Sequence, residues 1–227
     1  AVLRQLQDED RPAGEAEQQV LARWGGWGAQ GVWQVLDDDR PEFAGERDQL
    51  RQPLSEAEYR AAKLTTIDAH YTDAALVATI WGAVHALGFE HGRVLEPGCG
   101  SGTFIWLAPE GAQLTGVELD PTTAAIASLL YPEADIRAET FAATRFPSGH
   151  FDLAIGNVPF ANVVLHDPRH NSARLSMHNH FMVKSLELTR SGGLVAVLTS
   201  RYTMDAANPA GRRTIADLAD LVTAAYG

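Results

Sequence analysis

A short apolar pair, Val94-Leu95, runs into Glu96-Pro97-Gly98-Cys99-Gly100-Ser101-Gly102, and helical sequence resumes at about Thr103. A glycine loop set between a strand and a helix admits few architectures. Its backbone turns more tightly, or meets a ligand more closely, than a Cβ permits. The alternation continues downstream. Gln113 to Glu118 reads as a strand, Pro121 to Leu130 as a helix, Asp135 to Arg137 and Phe151 to Gly156 as strands, and Met177 to Leu188 as a helix. Leu194 to Thr199, after the turn Ser191-Gly192-Gly193, reads as a buried strand; Thr214 to Leu221 reads as helical, with a last strand beginning at Val222 to Tyr226. This order predicts an α/β fold, a doubly wound, Rossmann-like parallel sheet.

Residues 1–64 read as a small helical and loop extension, and residues 65–227 as the main domain. Residues 1–20 are polar and weakly helical, and frayed or disordered chain is the expectation there. Trp24, Trp27 and Trp33 lie among glycines. They read as a hydrophobic plug on the main domain, or as a platform on which bases stack. Ser55-Glu56-Ala57-Glu58 has a helix-start pattern. Ala74 to Leu87 reads as an amphipathic helix with Leu76, Val77, Ile80, Trp81, Val84 and Leu87 on one side.

The chain has 227 residues and 45% hydrophobic content, enough for one domain and an appendage. It has no apolar run of about eighteen residues, so no membrane span is expected, and it opens with no secretory leader. It begins at Ala1 and stops abruptly at Gly227, which suggests a fragment, cut short at the C-terminus. The single cysteine, Cys99, excludes an intrachain disulfide and a multi-cysteine metal site. It suits a reducing cytoplasm, and in the loop it reads as a small buried residue. Net charge is -11, with thirteen acids and seven Arg in residues 1–60 against seven acids and nine Arg or Lys in residues 137–227. So acidic a chain is a weak stand-alone nucleic-acid binder.

The loop is no phosphate P-loop, since no Gly-Lys-Ser/Thr follows, and its Gly-x-Gly-x-Gly spacing differs from the dinucleotide fingerprint. Glu96 can bind a cationic amino group or order water. In Gly116-Val117-Glu118-Leu119-Asp120-Pro121, Glu118 can take both hydroxyls of a ribose, and Asp120 reads as the cap of the helix that Pro121 opens. Glu139 can accept from an adenine amino group or stand as a solvated loop acid. Phe141 can cover an adenine or belong to the core.

About sixty residues after the glycine loop comes Asn157-Val158-Pro159-Phe160, delivered by an apolar strand to the sheet's carboxyl edge. The Asn157 side-chain oxygen and the Val158 carbonyl can accept from the two hydrogens of a planar amino group and favour a pyramidal nitrogen. Pro159 stiffens the turn, and Phe160 offers a face to a base lifted from a duplex. Alone, Asn157 would read as a turn residue. With the glycine loop it predicts methyl transfer from S-adenosylmethionine to an exocyclic or amide nitrogen.

His166, His170, His178 and His180 cluster with Asp167, Arg169 and Arg174. His178 and His180 fall on different helix faces, so no metal site is expected, and the segment reads as a polar loop facing the substrate. Arg169, Arg174 and Arg201 are candidate phosphate contacts or solvated surface arginines. Ser200-Arg201-Tyr202 can help line a target pocket.

Over about residues 66–205 these segments resemble the N6-adenine DNA methyltransferases of the gamma-like motif order, whose catalytic motif is Asn/Asp-Pro-Pro-Tyr/Phe. His70-Tyr71-Thr72-Asp73 looks like the family's N-terminal cofactor motif, usually Tyr-Thr-Pro, which implies that Tyr71 and Thr72 lie near the methionine part of the cofactor. The same resemblance implies cofactor contacts from Glu96, Pro97, Gly98, Gly100, Gly102, Glu118 and Asn157, and catalysis by Asn157 to Phe160; Glu139 and Phe141 are candidate cofactor contacts from their own positions after the third strand. The Trp-rich leader and the Asn-Val-Pro-Phe variant look like the methylase module of large phage or plasmid methylase–helicase proteins. Val158 stands where the family has proline, and no target-recognition domain fits after Asp205. DNA, gripped with the help of another domain or chain, is the implied substrate. Protein glutamine methylation and a silent cofactor-binding scaffold are the alternatives.

Overall fold

The computed structural model describes residues 1–29, 31–66, 72–161 and 163–225. The N-terminal part contains α1 (Val2–Glu9), α2 (Glu15–Leu21), α3 (Val32–Leu36), α4 (Ala44–Arg51, entered through a 3-10 turn at Pro41–Phe43) and α5 (Glu56–Thr65). The rest runs α6 (Ala74–Ala86), β1 (Gly92–Pro97), α7 (Thr103–Trp106), β2 (Ala112–Glu118), α8 (Pro121–Leu130), β3 (Asp135–Ala138), β4 (Phe151–Asn157), α9 (Met177–Leu188), β5 (Thr189–Leu198), α10 (Tyr202–Asp205) and α11 (Ala210–Ala216). No helix among the described residues is long and apolar enough to cross a membrane.

The five strands are parallel in the order β3-β2-β1-β4-β5. The chain winds outward from β1 to β3, then returns to the far side of β1 as β4. The carboxyl ends of β1 and β4 therefore flank the switch point where open α/β sheets bind ligands. Those ends lead into the glycine loop and carry Asn157.

Strands covered on both faces need continuous apolar sequence, and the pleat sends alternate side chains to opposite cores. Val94, Leu153 and Ile155 pack with Val77, Trp81, Val84 and Phe104 on one face. Leu95 and Ala154 pack with Phe141, Phe151, Phe181 and Leu188 on the other. The amphipathic reading of α6 holds for Val77, Trp81 and Val84, but Leu76 and Leu87 are 44% and 50% exposed. Helical period alone made the stripe wider than the surface available to cover it.

The N-terminal segment departs most from expectation. Residues 1–20 form α1 and α2, and Leu3, Leu6 and Leu21 pack on Ile126 of α8. Few apolar residues do this, but they lie on one side, and Arg11 clamps Glu17 at 2.6 Å across the turn between the helices. The Ser55 capping box forms as its spacing predicts, with Glu58 accepting from the Ser55 amide at 2.8 Å.

β5 starts at Thr189, earlier than expected. The expected turn at Ser191-Gly192-Gly193 lies inside the strand as a bulge, because Phe151 pairs with Thr189 while Leu153 already pairs with Leu194. The final helix ends at Ala216, and residues 222–225 form no strand. Tyr226, the end of that expected strand, lies outside the described residues.

Candidate active site

The glycine loop is strapped to β2. The amides of Gly98 and Cys99 both donate to the Val117 carbonyl, at 2.8 and 3.0 Å. This close approach needs Gly116 on β2, where a Cβ would sit 2.7 Å from the Cys99 sulfur. Gly102, with φ 90°, caps α7, and a Cβ there would strike the Tyr131 ring at 2.5 Å. Cys99 is buried, and burial pushes its thiol well up, so it is no nucleophile.

Two acids stand beside the loop. Glu118 accepts from the Gly100 amide at 2.9 Å and from the Asp120 amide at 2.8 Å. Burial raises its carboxyl despite those bonds. Glu96 is 4% exposed, and its Oε2 is buried without a hydrogen-bond partner among the described residues. Burial drives Glu96 well above the usual carboxylate range, the Glu118 charge adds to this, and the amides of Ile105 and Phe104 work against it. A cationic ligand would reverse that cost for both acids. Asp120 caps α8, accepting from the Thr123 amide at 2.8 Å, as its place before Pro121 predicts.

On the other side of the switch point, Asn157 ends β4. Its Nδ2 donates to Thr72 Oγ1 at 3.1 Å, while its Oδ1 is buried with no partner among the described residues. The Val158 side chain is core, and its amide donates to the Leu198 carbonyl at 3.0 Å. The turn is therefore held by β5 where the resemblance would have proline. Pro159 lies against Gly98, and Phe160 is 42% exposed.

These two halves meet in one cavity of ≈ 670 Å³. Thr72, Glu96, Gly98, Gly100, Glu118, Glu139, Phe141, Asn157, Val158, Pro159 and Phe160 all line it. Phe141 belongs to the core and also lines the cavity. Pro97 and Gly102 shape the loop without lining the space. Tyr71 lies outside the described residues.

The arginines are not brought to the cavity. Arg169 donates to Ser148 at 3.1 Å, near the amino end of β4 and so at the opposite sheet edge. Arg174 is exposed, in a left-handed turn with φ 52°. Arg201 lies over the Tyr202 ring, 5.2 Å from its centroid.

The histidine segment is not the polar, substrate-facing loop expected of it. Asp167, His170, Asn171 and His180 are buried. His170 pairs with Glu187, His180 Nε2 with Asp167 at 3.1 Å, and His178 with Ser176 at 3.2 Å. At the centre is Lys184, fully buried, which donates to Asp167 at 3.0 Å and to the carbonyls of Phe141 and Thr144 at 2.5 and 3.0 Å. Lys184 thus ties down the segment after β3 that carries Phe141. Nothing in the sequence signalled it, because a helical lysine ordinarily reads as solvated. Trp27 was also missed as a cavity residue. It is 4% exposed and lines the space with Gly26 and Leu64.

Residues 95–176 match the family model described as a methyltransferase domain. The matched stretch contains the glycine loop, both acids and the Asn157 turn. S-adenosylmethionine is accordingly the cofactor, and the cavity fits it: Glu96 opens the loop, Glu118 holds its Gly100 amide, and two buried carboxyl oxygens of the lining, Glu96 Oε2 and Asp120 Oδ1, lack a partner among the described residues. The chain is 28% identical over 140 residues to the defense against restriction protein B of Escherichia phage P1. That stretch is 59% of this chain, yet the chain spans only about 6% of the phage protein's length. Among solved structures, a modification subunit assigned to a type I restriction enzyme of Vibrio vulnificus YJ016 aligns with TM-score 0.55 and 17% identity, covering 76% of this chain and 41% of that one. The type I restriction-modification methyltransferase subunit of Streptococcus thermophilus aligns with TM-score 0.54 and 16% identity, covering 71% and 42%. At such identities the likeness is one of fold.

Proposed function

We propose that this domain transfers a methyl group to the N6 amino group of adenine in DNA. The observation that carries the reading is the Asn157 oxygen, buried and without a partner among the described residues, in the cavity that the glycine loop also lines. A buried acceptor without a partner is costly unless a ligand completes it. An amino group is the complement it lacks.

Thr72 fixes the Asn157 amide through Nδ2 and so keeps the oxygen turned towards the substrate nitrogen. The Val158 carbonyl is the second acceptor of the proposal. Two acceptors draw the nitrogen lone pair out of conjugation, which is positioning and electrostatic work. S-adenosylmethionine supplies an activated methyl group on a positive sulfonium when bound. Phe160, exposed at the cavity wall, stacks on a base turned out of its duplex.

DNA is favoured over a protein amide by that exposed aromatic face, and by relatives whose printed descriptions concern restriction and modification. Since no arginine expected to meet phosphates reaches the cavity, we assign most of the grip on DNA to a further domain or subunit.

The test is transfer of labelled methyl groups to mixed-sequence DNA, followed by nucleoside analysis. N6-methyladenine is the expected product, and Asn157→Ala should lower the rate roughly 10²–10³-fold, far more than it weakens S-adenosylhomocysteine binding. Label appearing only in protein, or unchanged transfer by the variant, would overturn the proposal.

A further inference from the structure

The N-terminal extension reaches the cavity through Trp27. Its indole N–H donates to Asp120 Oδ2 at 2.8 Å, across 93 residues of sequence. Trp24 stands edge-on to it, with ring centroids 4.8 Å apart, and donates to Thr123 Oγ1 at 3.0 Å. Both tryptophan N–H groups therefore end on the first turn of α8. The Asp120 amide in turn donates to Glu118 Oε1, and Glu118 Oε2 takes the Gly100 amide. A continuous hydrogen-bonded path thus joins the extension to the glycine loop. Asp120 also lines the cavity, is 1% exposed, and has a buried Oδ1 without a partner among the described residues.

We propose that Trp27 is a donor-binding residue supplied by the extension: its ring walls the end of the cavity bounded by Glu118 and Asp120, and its N–H holds the Asp120–Glu118 turn in the shape that accepts the ribose. This rests on the cavity being the S-adenosylmethionine site. It sets aside the base-stacking role for Trp27, since a ring only 4% exposed has no free face to offer a base. The extension is then part of the cofactor site.

The probe is S-adenosylhomocysteine, measured by calorimetry on the full chain. Trp27→Ala should weaken binding roughly tenfold or more, as losing a hydrogen bond to a charged group does. Trp27→Phe, which keeps a ring and loses the N–H, should fall between it and the parent. Trp33→Ala serves as control, because Trp33 is 44% exposed and lies under Arg40 away from the cavity wall. Parent-like affinity in a folded Trp27→Ala variant would overturn the proposal. So would a variant that loses DNA binding and keeps the probe. If Trp27→Ala does not fold, hydrogen exchange of the parent decides. The probe should slow exchange at residues 24–29, and no change there would refute the role. A parent chain that binds no probe at all would instead remove the cofactor assignment, and this proposal with it.

Discussion

Replacing Lys184 by Met tests whether the buried network under the active-site wall is as tightly coupled as its geometry implies. The Lys184 and Asp167 side chains are both fully buried and 3.0 Å apart. Burial holds Lys184 below its usual range although Asp167 pulls it up. Burial also pushes Asp167 up, but the bonds from Lys184 and His180 outweigh it and hold the carboxyl at about 2. Removing the cation leaves a buried carboxylate with His180 and the His170 amide, and the carbonyls of Phe141, Ala142 and Thr144 each lose a donor. Breaking a buried pair in this way costs roughly 3–5 kcal/mol, a large share of a domain's stability. Urea unfolding of the parent, Lys184→Met, Asp167→Asn and the double variant closes a cycle. The double variant should lose less than the two single losses combined, by more than about 1 kcal/mol. A Lys184→Met loss below about 1 kcal/mol, or losses additive within about 0.5 kcal/mol, would refute the reasoning.

Three further outcomes follow from the same structure. Val158→Pro would place there the proline of the motif that the turn resembles but remove the amide that bonds Leu198 and a packed core side chain; thermal melting should show a loss of about 1–3 kcal/mol, and a gain would contradict the placement of that turn. Glu118→Ala frees the Gly100 and Asp120 amides and removes the expected ribose acceptor; calorimetry should find S-adenosylhomocysteine bound roughly ten- to a hundredfold more weakly. Asp167, held at about 2 against an ordinary 3.8, stabilises the fold as a carboxylate. Its contribution is complete above its ordinary value and disappears as pH falls towards its folded one. Denaturant midpoints taken down this range should decline more steeply for the parent than for Asp167→Asn, and parallel declines would count against the assignment.

Where strong local signals exist, the sequence was readable. Pro121 and Asp120 marked the start of α8, and the expected helix over Met177 to Leu188 matches α9 in both boundaries. The alternation predicted a parallel sheet with the glycine loop and Asn157 both at its carboxyl edge, and the observed strand order sets β1 and β4 side by side. What escaped depends on partners far apart in the chain. Lys184 meets Phe141 and Thr144 across about forty residues, and Trp27 meets Asp120 across 93. No window of local periodicity spans such separations. The helices of residues 1–20 were hidden for another reason. Their composition is that of solvated chain, and a few leucines on one side suffice to dock them on α8.

Cys99, the only sulfhydryl in the chain, lies within the cofactor loop itself and is packed against Gly116. Alkylation there requires the bend to come away from β2 first. The rate of labelling by a small maleimide is therefore a clock for that opening, read without any added fluorophore. Ligand held along the bend should slow the clock, and any substitution that loosens the bend should speed it.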